Sequence, residues 1–160
     1  MVLLLKNLLF TFLVPGVVAG WIPWLIAGAR APTSGMPLVV ALALFGVGGA
    51  VYAWCVWDFA SFGRGTPAPI DAPKKLVIRG LYRFTRNPMY VGVLTVVAAW
   101  AVLFQAASLI VYAVAVATMF QLFILVYEEP HLEGLFGDDY RAYRSEVGRW
   151  LPRLPRKPAA

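Results

Sequence analysis

The chain has 160 residues, of which 61% are hydrophobic and only 14% charged, and its mean hydropathy is +0.72. Soluble domains carry about 25% charged residues, so this composition argues against an ordinary soluble domain and favours a protein of the bilayer. The net charge of +6 does not indicate nucleic-acid binding, because the basic residues flank apolar segments, where they suit anionic lipid headgroups. The single cysteine, Cys55, excludes a disulfide within the chain.

Four apolar segments approach the length of about 20 residues that a membrane span requires. They predict an all-α, polytopic membrane helix bundle that forms one domain over residues 1–160. The predicted spans cover about 8–29, 37–58, 88–104 and 106–127. The first segment resembles a signal peptide, but its length and the lack of a small-residue cleavage site favour a span.

Local features predict the shape and packing of these spans. Pro15 and Pro23 predict kinks in span 1, which neighbouring helices tolerate in a membrane. Residues 46–50 of span 2 are small enough to let another helix pack closely. Only a tight turn near residues 105–108 separates spans 3 and 4, so they are expected to form an antiparallel helical hairpin.

The basic residues predict the topology. Six of the 14 lysines and arginines lie in the loop 59–87, and six lie in the tail after residue 140. By the positive-inside rule, both segments and both termini are expected to face the cytoplasm. The protein is therefore interpreted as an integral membrane protein with several spans.

The tail contains a helical pattern with an apolar stripe. Its members recur at steps of three or four: Leu132, Phe136, Tyr140, Tyr143, Val147 and Trp150. Gly137 is expected to break the helix, and Asp138 can cap a second one. This pattern predicts an amphipathic helix on the cytoplasmic interface or folded over the spans.

The start of span 3 and the end of span 4 carry most of the functional signal. Asn87 is a good N-cap and Pro88 suits the first helical position, so a helix is expected to begin there. Arg86 then lies at a helix N-terminus, a place that already favours anions. Glu128 and Glu129 lie at a helix C-terminus, where the dipole disfavours negative charge, so a nearby cation is expected.

The predicted hairpin brings these two ends together. One side offers guanidinium groups and the other offers carboxylates, an arrangement that suits the carboxylate and the ammonium of S-adenosylmethionine. Tyrosine rings suit its flat base. Alternatively, the arginines bind lipid phosphates, or the glutamates form structural ion pairs with them.

Several segments resemble those of the integral-membrane methyltransferases of the isoprenylcysteine carboxyl methyltransferase and phospholipid methyltransferase superfamily. They are Gly80-Leu-Tyr-Arg83, Arg86-Asn-Pro-Met-Tyr-Val-Gly92, Glu128-Glu129, Phe136-Gly-Asp-Asp-Tyr140, Tyr143 and Arg149-Trp-Leu-Pro152. The resemblance covers residues 75–153. It implies an enzyme that uses S-adenosylmethionine and releases S-adenosylhomocysteine.

The resemblance also implies the residues of the site. Those expected to bind the cofactor are Lys75, Val77, Gly80, Tyr82, Arg86, Asn87, Pro88, Tyr90, Gly92, Glu128, Glu129, Leu132 and Tyr140. Those expected to be catalytic are Glu128, Arg86 and Arg144. Members with the best-known activities have His where this chain has Asn87, and an amide cannot titrate, which argues against a base at that position.

The methyl acceptor stays open, with an isoprenylcysteine carboxylate, a phospholipid amine and a small thiol as candidates. A carboxylate needs no base, whereas an amine needs a group such as Glu128 to receive a proton. Membrane lipids are expected partners, and a metal is not, since the lone His131 has no cysteine or histidine partner. Two other functions are considered: an NADPH-dependent reductase related to the sterol reductases, and a non-catalytic lipid-binding or scaffold protein.

Overall fold

The computed structural model describes residues 15–63 and 76–152, and every regular element within these ranges is helical. The helices are α1 (Val17–Ala27), α2 (Met36–Asp58), α3 (Pro88–Phe104), α4 (Ala107–Phe123) and α5 (Glu129–Glu146). Two π-helical turns, Phe59–Gly63 and Ile124–Glu128, extend α2 and α4, and a 3-10 turn covers Gly80–Arg83. The predicted all-α class is confirmed. Residues 8–14 of predicted span 1 lie outside the described residues.

Two helical segments are long and apolar enough to cross a membrane, Met36–Ser61 and Ala107–Glu146. Only 17% and 22% of their most apolar stretches are buried within the protein. The core helix of a soluble protein would be mostly buried, so these exposed apolar faces favour contact with lipid. Helices α1 and α3 are apolar but shorter. The arrangement with four spans therefore stays a prediction.

The proline of α1 explains how this helix is attached to the others. Pro23 has no N–H, and the π-helical turn Val17–Trp21 directly precedes its helical turn, so backbone carbonyls of α1 need donors from elsewhere. Tyr112 Oη donates to the carbonyl of Val18 at 2.7 Å, and Trp100 Nε1 donates to that of Ala19 at 2.8 Å. These two bonds fasten α1 to α4 and α3.

Helices α2 and α3 pack so closely that their backbones are in contact. A Cβ atom on Gly48 would lie 2.8 Å from the carbonyl oxygen of Gly92, and one on Gly92 would lie 3.0 Å from that of Gly48. Among the described residues, Gly46 and Gly49 have no such neighbour within 4 Å. The close packing predicted for residues 46–50 is therefore made by Gly48, and Gly92 is its backbone partner on α3.

Replacing Gly48 by alanine is expected to destabilise the protein by about 1–3 kcal/mol, because overpacking forces α2 away from α3. Thermal unfolding of the detergent-solubilised protein measures this loss. Gly46→Ala is the matched control, since its Cβ enters open space, and it should not lower the unfolding temperature. Equal unfolding temperatures for the two variants would show that the close contact does not stabilise the bundle.

Helices α3 and α4 form the predicted antiparallel hairpin. Only Gln105 and Ala106 connect them, and Gln105 adopts a left-handed conformation with φ 44°. The N-terminus of α3 and the C-terminal end of α4 therefore lie at the same end of the bundle. The helix does not stop after residue 127, however. It continues through the π-helical turn into α5, since this turn precedes Pro130 and accommodates the N–H that proline lacks, so Glu128 and Glu129 do not lie at a helix C-terminus as expected.

The amphipathic helix α5 folds over the loop that precedes α3. Gly137 interrupts it with φ 51°, as predicted. Tyr140, Tyr143 and Val147 of the predicted stripe are buried together, with Leu76 of the loop packed against them. Tyr143 Oη also donates to the carbonyl of Tyr82 at 2.6 Å, so the helix holds the loop close to the bundle.

Candidate active site

The loop before α3 is held by the C-terminal segment 147–150. Helix α3 begins at Pro88 as predicted, but the Asn87 side chain does not cap it. Asn87 Nδ2 instead donates to the carbonyl of Arg149 at 3.1 Å, and Thr85 Oγ1 donates to the same oxygen at 2.9 Å. The N–H of Arg86 donates to the carbonyl of Gly148 at 2.9 Å. The predicted side-chain cap is therefore wrong, and the Asn87 amide instead ties the start of α3 to the segment 147–150.

A buried ion cluster joins the two helix ends that the hairpin brings together. Arg86 Nη1 donates to Glu129 Oε1 at 2.8 Å, and the two side chains are 7% and 9% exposed. Arg149 binds both oxygens of the same carboxylate, Nε to Oε1 at 2.8 Å and Nη2 to Oε2 at 3.0 Å. Tyr140 Oη lies 3.4 Å from Arg86 Nη1. The cation expected beside Glu129 is thus supplied by two arginines.

The adjacent carboxylate, Glu128, has a different environment. Its Oε2 accepts a hydrogen bond from Tyr90 Oη at 2.7 Å, and both residues line a cavity between the helices. The Tyr90 ring packs against Phe120 of α4, with ring centroids 4.7 Å apart. The two consecutive glutamates therefore have different surroundings. Glu129 lies among arginines, and Glu128 lies in an apolar cavity.

These environments shift the pKa values of the two carboxyl groups in opposite directions. Both residues come after the apolar stretch of α4 in the chain. Burial raises the pKa of Glu128, and the charge of Glu129 adds to this, while the hydrogen bond from Tyr90 opposes it. Burial also acts on Glu129, but the hydrogen bond from Arg149 and the charges of Arg86, Arg149 and Arg144 outweigh it and lower its pKa. Glu129 is therefore the more acidic of the two carboxyl groups, and Glu128 is the stronger base.

The cavity has a volume of about 90 Å³ and a mostly apolar lining. Helices α1 to α4 all contribute to its walls. Its lining residues are Pro15, Val18, Tyr52, Phe59, Tyr82, Arg86, Asn87, Met89, Tyr90, Val93, Phe120 and Glu128. Such an apolar space with a few convergent polar groups is typical of a small-ligand site.

A larger open cleft of about 800 Å³ lies on the other side of Arg86. Apart from Arg86, its charged groups come from α5 and from the segment that follows it: Glu129, Glu133, Arg141, Arg144 and Arg149. Charges of both signs suit a zwitterionic ligand. Arg86 lines both the cleft and the cavity, so the two spaces meet at this residue.

The predicted site residues are divided between these spaces. Tyr82, Arg86, Asn87, Tyr90 and Glu128 line the cavity, and Arg86, Glu129 and Arg144 line the cleft. The others pack around the site or lie beyond it: Val77, Gly80, Pro88, Gly92, Leu132 and Tyr140. Lys75 is outside the described residues. Arg144 is 48% exposed and contacts Glu133, away from the cavity.

Two features of the site were not found from the sequence. One is the wall formed by Tyr52, Val93 and Phe120, since apolar residues within apolar spans give no sign of facing a cavity. The other is the role of Arg149, which appeared only as part of a C-terminal segment. The one signal in the sequence for this role was that Arg149 lies next to Trp150 of the apolar stripe.

One buried atom indicates that the cluster is incomplete. Arg86 Nε is buried and has no hydrogen-bond partner among the residues that the structure describes. A buried donor of this kind is costly unless a ligand supplies an acceptor. The carboxylate of an amino acid provides such an acceptor, and Glu129 and Glu133 suit its ammonium. The residues present therefore fit the amino-acid part of S-adenosylmethionine.

Comparison with known proteins shows which family this chain belongs to. The family model for phospholipid methyltransferase matches residues 36–139. The chain belongs to the phospholipid methyltransferase family. The matched range contains Arg86, Glu128 and Glu129, but not Arg149. This family membership agrees with the resemblance seen in the sequence.

Curated relatives of this phospholipid methyltransferase family member include three bacterial enzymes. Methanethiol S-methyltransferase from Pseudomonas deceptionensis is 38% identical over 92 residues, which are 58% of this chain and 33% of that protein. Methanethiol S-methyltransferase 1 from Bradyrhizobium diazoefficiens is 39% identical over 72 residues, or 45% and 24% of the two chains. Methanethiol S-methyltransferase from Mycobacterium tuberculosis is 42% identical over 72 residues, or 45% and 28%. The chain spans a third or less of these relatives' length.

Proposed function

We propose that this protein is a membrane methyltransferase that moves a methyl group from S-adenosylmethionine to a small thiol. The observation that carries the proposal is the position of Arg86. Its buried Nε has no acceptor within the described part of the chain, and Arg86 stands between a charged cleft and an apolar cavity that contains Glu128. A cofactor with a carboxylate and an apolar acceptor are the two ligands that such a pair of spaces accommodates.

The cleft is the proposed cofactor site. Its volume of about 800 Å³ admits a nucleoside with an amino-acid chain, whereas the cavity of about 90 Å³ does not. Arg86 would hold the carboxylate, Glu129 and Glu133 the ammonium, and the planar guanidinium of Arg144 can stack on the base. The bound cofactor supplies a methyl group on a sulfonium, and its demethylated product is S-adenosylhomocysteine.

The cavity is the proposed acceptor site. Its small apolar volume suits a short alkyl thiol, and the relatives named methanethiol S-methyltransferases support this choice. A phospholipid or an isoprenylcysteine is too large to lie wholly within this volume, so only part of either molecule could enter it. The apolar walls keep water away from the acceptor, which leaves orientation as the main task of the protein.

Glu128 is the proposed proton acceptor. A thiol becomes strongly nucleophilic when it loses its proton, and the Glu128 carboxylate lies in the cavity to receive it. The hydrogen bond from Tyr90 Oη to Oε2 fixes this carboxylate and leaves Oε1 for the proton. Asn87 cannot titrate and so would only orient groups, which distinguishes this chain from the members with His at that position.

The proposed topology has four spans, with the site at the cytoplasmic end. Two segments are long and apolar enough to cross the membrane, and α1 and α3 complete the bundle. Because α3 begins where α4 ends, Arg86 and Glu129 lie at one end of the bundle, and the cleft there also contains Arg141, Arg144 and Arg149 of the described part of the tail. The positive-inside rule places that end and both termini in the cytoplasm.

Incubating the purified protein with methyl-labelled S-adenosylmethionine tests the proposed acceptor. Methanethiol, octanethiol, phosphatidylethanolamine vesicles and farnesylcysteine are supplied in separate reactions, and labelled products are identified by mass spectrometry. Labelled dimethyl sulfide from methanethiol, with less product from octanethiol, is the expected result. Label in the lipid or in farnesylcysteine alone would reject the thiol. No labelled product, together with saturable NADPH binding, would favour the reductase instead.

A further inference from the structure

The segment 147–150 ties together parts of the protein that are far apart in sequence. Its backbone accepts hydrogen bonds from the loop before α3, through the carbonyls of Gly148 and Arg149. Trp150 Nε1 donates to Gln121 Oε1 of α4 at 2.7 Å. The Arg149 side chain binds Glu129 at the start of α5. One short segment thus contacts the loop before α3, helix α4 and helix α5.

Arg149 forms hydrogen bonds with α5 through its side chain and with the loop before α3 through its backbone carbonyl. Its guanidinium contacts both carboxylate oxygens of Glu129, whereas Arg86 contacts only Oε1. Its carbonyl accepts from Thr85 and Asn87, the two residues that flank Arg86. Arg149 therefore helps to fix the positions of both Glu129 and Arg86. Arg149 also lies beyond residue 139, where the match to the family model ends.

We propose that Arg149 is a positioning residue of the cofactor site, which holds Glu129 and the 85–87 loop in the geometry that binds an amino-acid zwitterion. The proposal rests on the proposed function of the cleft. A planar fork that donates two parallel hydrogen bonds is specific to arginine, and lysine keeps the charge without the fork. Arg149→Lys therefore separates position from charge.

The pH dependence of binding gives a signature that a general loss of stability would not produce. The groups that face Glu129 are Arg86, Arg149, Arg144, Tyr140 and the adjacent Glu128. Although burial opposes it, Arg149 helps to keep the pKa of Glu129 low, so ligand binding to the ionised carboxylate is lost only as pH falls through that lowered value. Losing the fork raises this pKa and moves the acid limit of binding to higher pH.

The test measures S-adenosylhomocysteine binding by calorimetry across a pH series, with wild type, Arg149→Lys and Arg149→Ala. Arg83→Lys is the matched control, because Arg83 is exposed in the 3-10 turn. At neutral pH, Arg149→Lys should weaken binding about tenfold, the effect of one lost charge-assisted hydrogen bond, and its acid midpoint should rise. Amide exchange of Arg86 in the ligand-free protein should become faster in both Arg149 variants.

Each outcome decides a different claim. If wild type binds the ligand and Arg149→Lys matches it in affinity and in acid midpoint, Arg149 is not a positioning residue. Weaker binding with an unchanged midpoint and unchanged Arg86 exchange would also overturn the proposal. If wild type itself shows no saturable binding, the proposed function of the cleft fails first. Should Arg149→Ala not fold, Arg149→Lys alone decides.

Discussion

Replacing Glu129 by glutamine is expected to reduce S-adenosylhomocysteine binding at least about a hundredfold, since two or more charge-assisted hydrogen bonds are lost. The substitution keeps the shape of the side chain and removes its charge. Arg86, whose side chain is only 7% exposed, then loses its counterion. Breaking a buried ion pair on one side typically costs about 3–5 kcal/mol, because the remaining charge stays buried.

Calorimetry and thermal unfolding of Glu129→Gln together measure these two effects. The matched control is Glu146→Gln, which removes an exposed carboxylate from the end of α5 and should leave both quantities unchanged. Because the folded pKa of Glu129 is lowered, its contribution to stability is present above the ordinary carboxyl pKa and is lost as pH falls through the lowered value. The difference between wild type and Glu129→Gln should therefore shrink in acid. Full ligand affinity in Glu129→Gln would remove Glu129 from the site.

Replacing Glu128 by glutamine is expected to lower the rate of thiol methylation by about 10²–10⁴, the usual range for the loss of a general base. Ligand binding in the cleft should persist, because Glu128 lines the cavity and not the cleft. The amide oxygen can still accept the hydrogen bond from Tyr90, so the packing of the cavity is retained. The expected defect therefore lies in kcat and not in cofactor affinity.

The acidity of the acceptor provides the control for this prediction. A thiol that is already ionised at the assay pH needs no base, so an acidic aromatic thiol small enough for the cavity should restore the rate of Glu128→Gln. Because the pKa of Glu128 is raised, wild-type activity toward methanethiol should increase as pH rises through that value. Equal losses for acidic and ordinary thiols would show that Glu128 does not receive the proton.

The hairpin explains why the meeting of Arg86 and Glu129 was predictable. Two antiparallel helices with a two-residue connection leave almost no freedom in which ends are neighbours. The apolar stripe of the tail was equally informative, since its period fixes one face of α5. Both predictions depend on local periodicity and on connection length, which the sequence states directly.

Long-range hydrogen bonds, the continuation of α4 into α5 and the orientation of apolar residues within the spans were not predictable. Asn87 has the local preference of an N-cap, and nothing near it in sequence shows that its side-chain amide instead donates to the carbonyl of Arg149. Pro130 is typical of a helix end, yet the preceding π-helical turn lets α4 continue into α5. Phe120 faces the cavity but is indistinguishable in sequence from the lipid-facing residues around it.

A structure determined with S-adenosylhomocysteine bound tests the proposed site most directly. The expected result is a ligand in the cleft, with its carboxylate within hydrogen-bond distance of Arg86 Nε and its sulfur toward the cavity that contains Glu128. A ligand bound elsewhere, with Arg86 Nε still buried and without an acceptor, would contradict the proposed site.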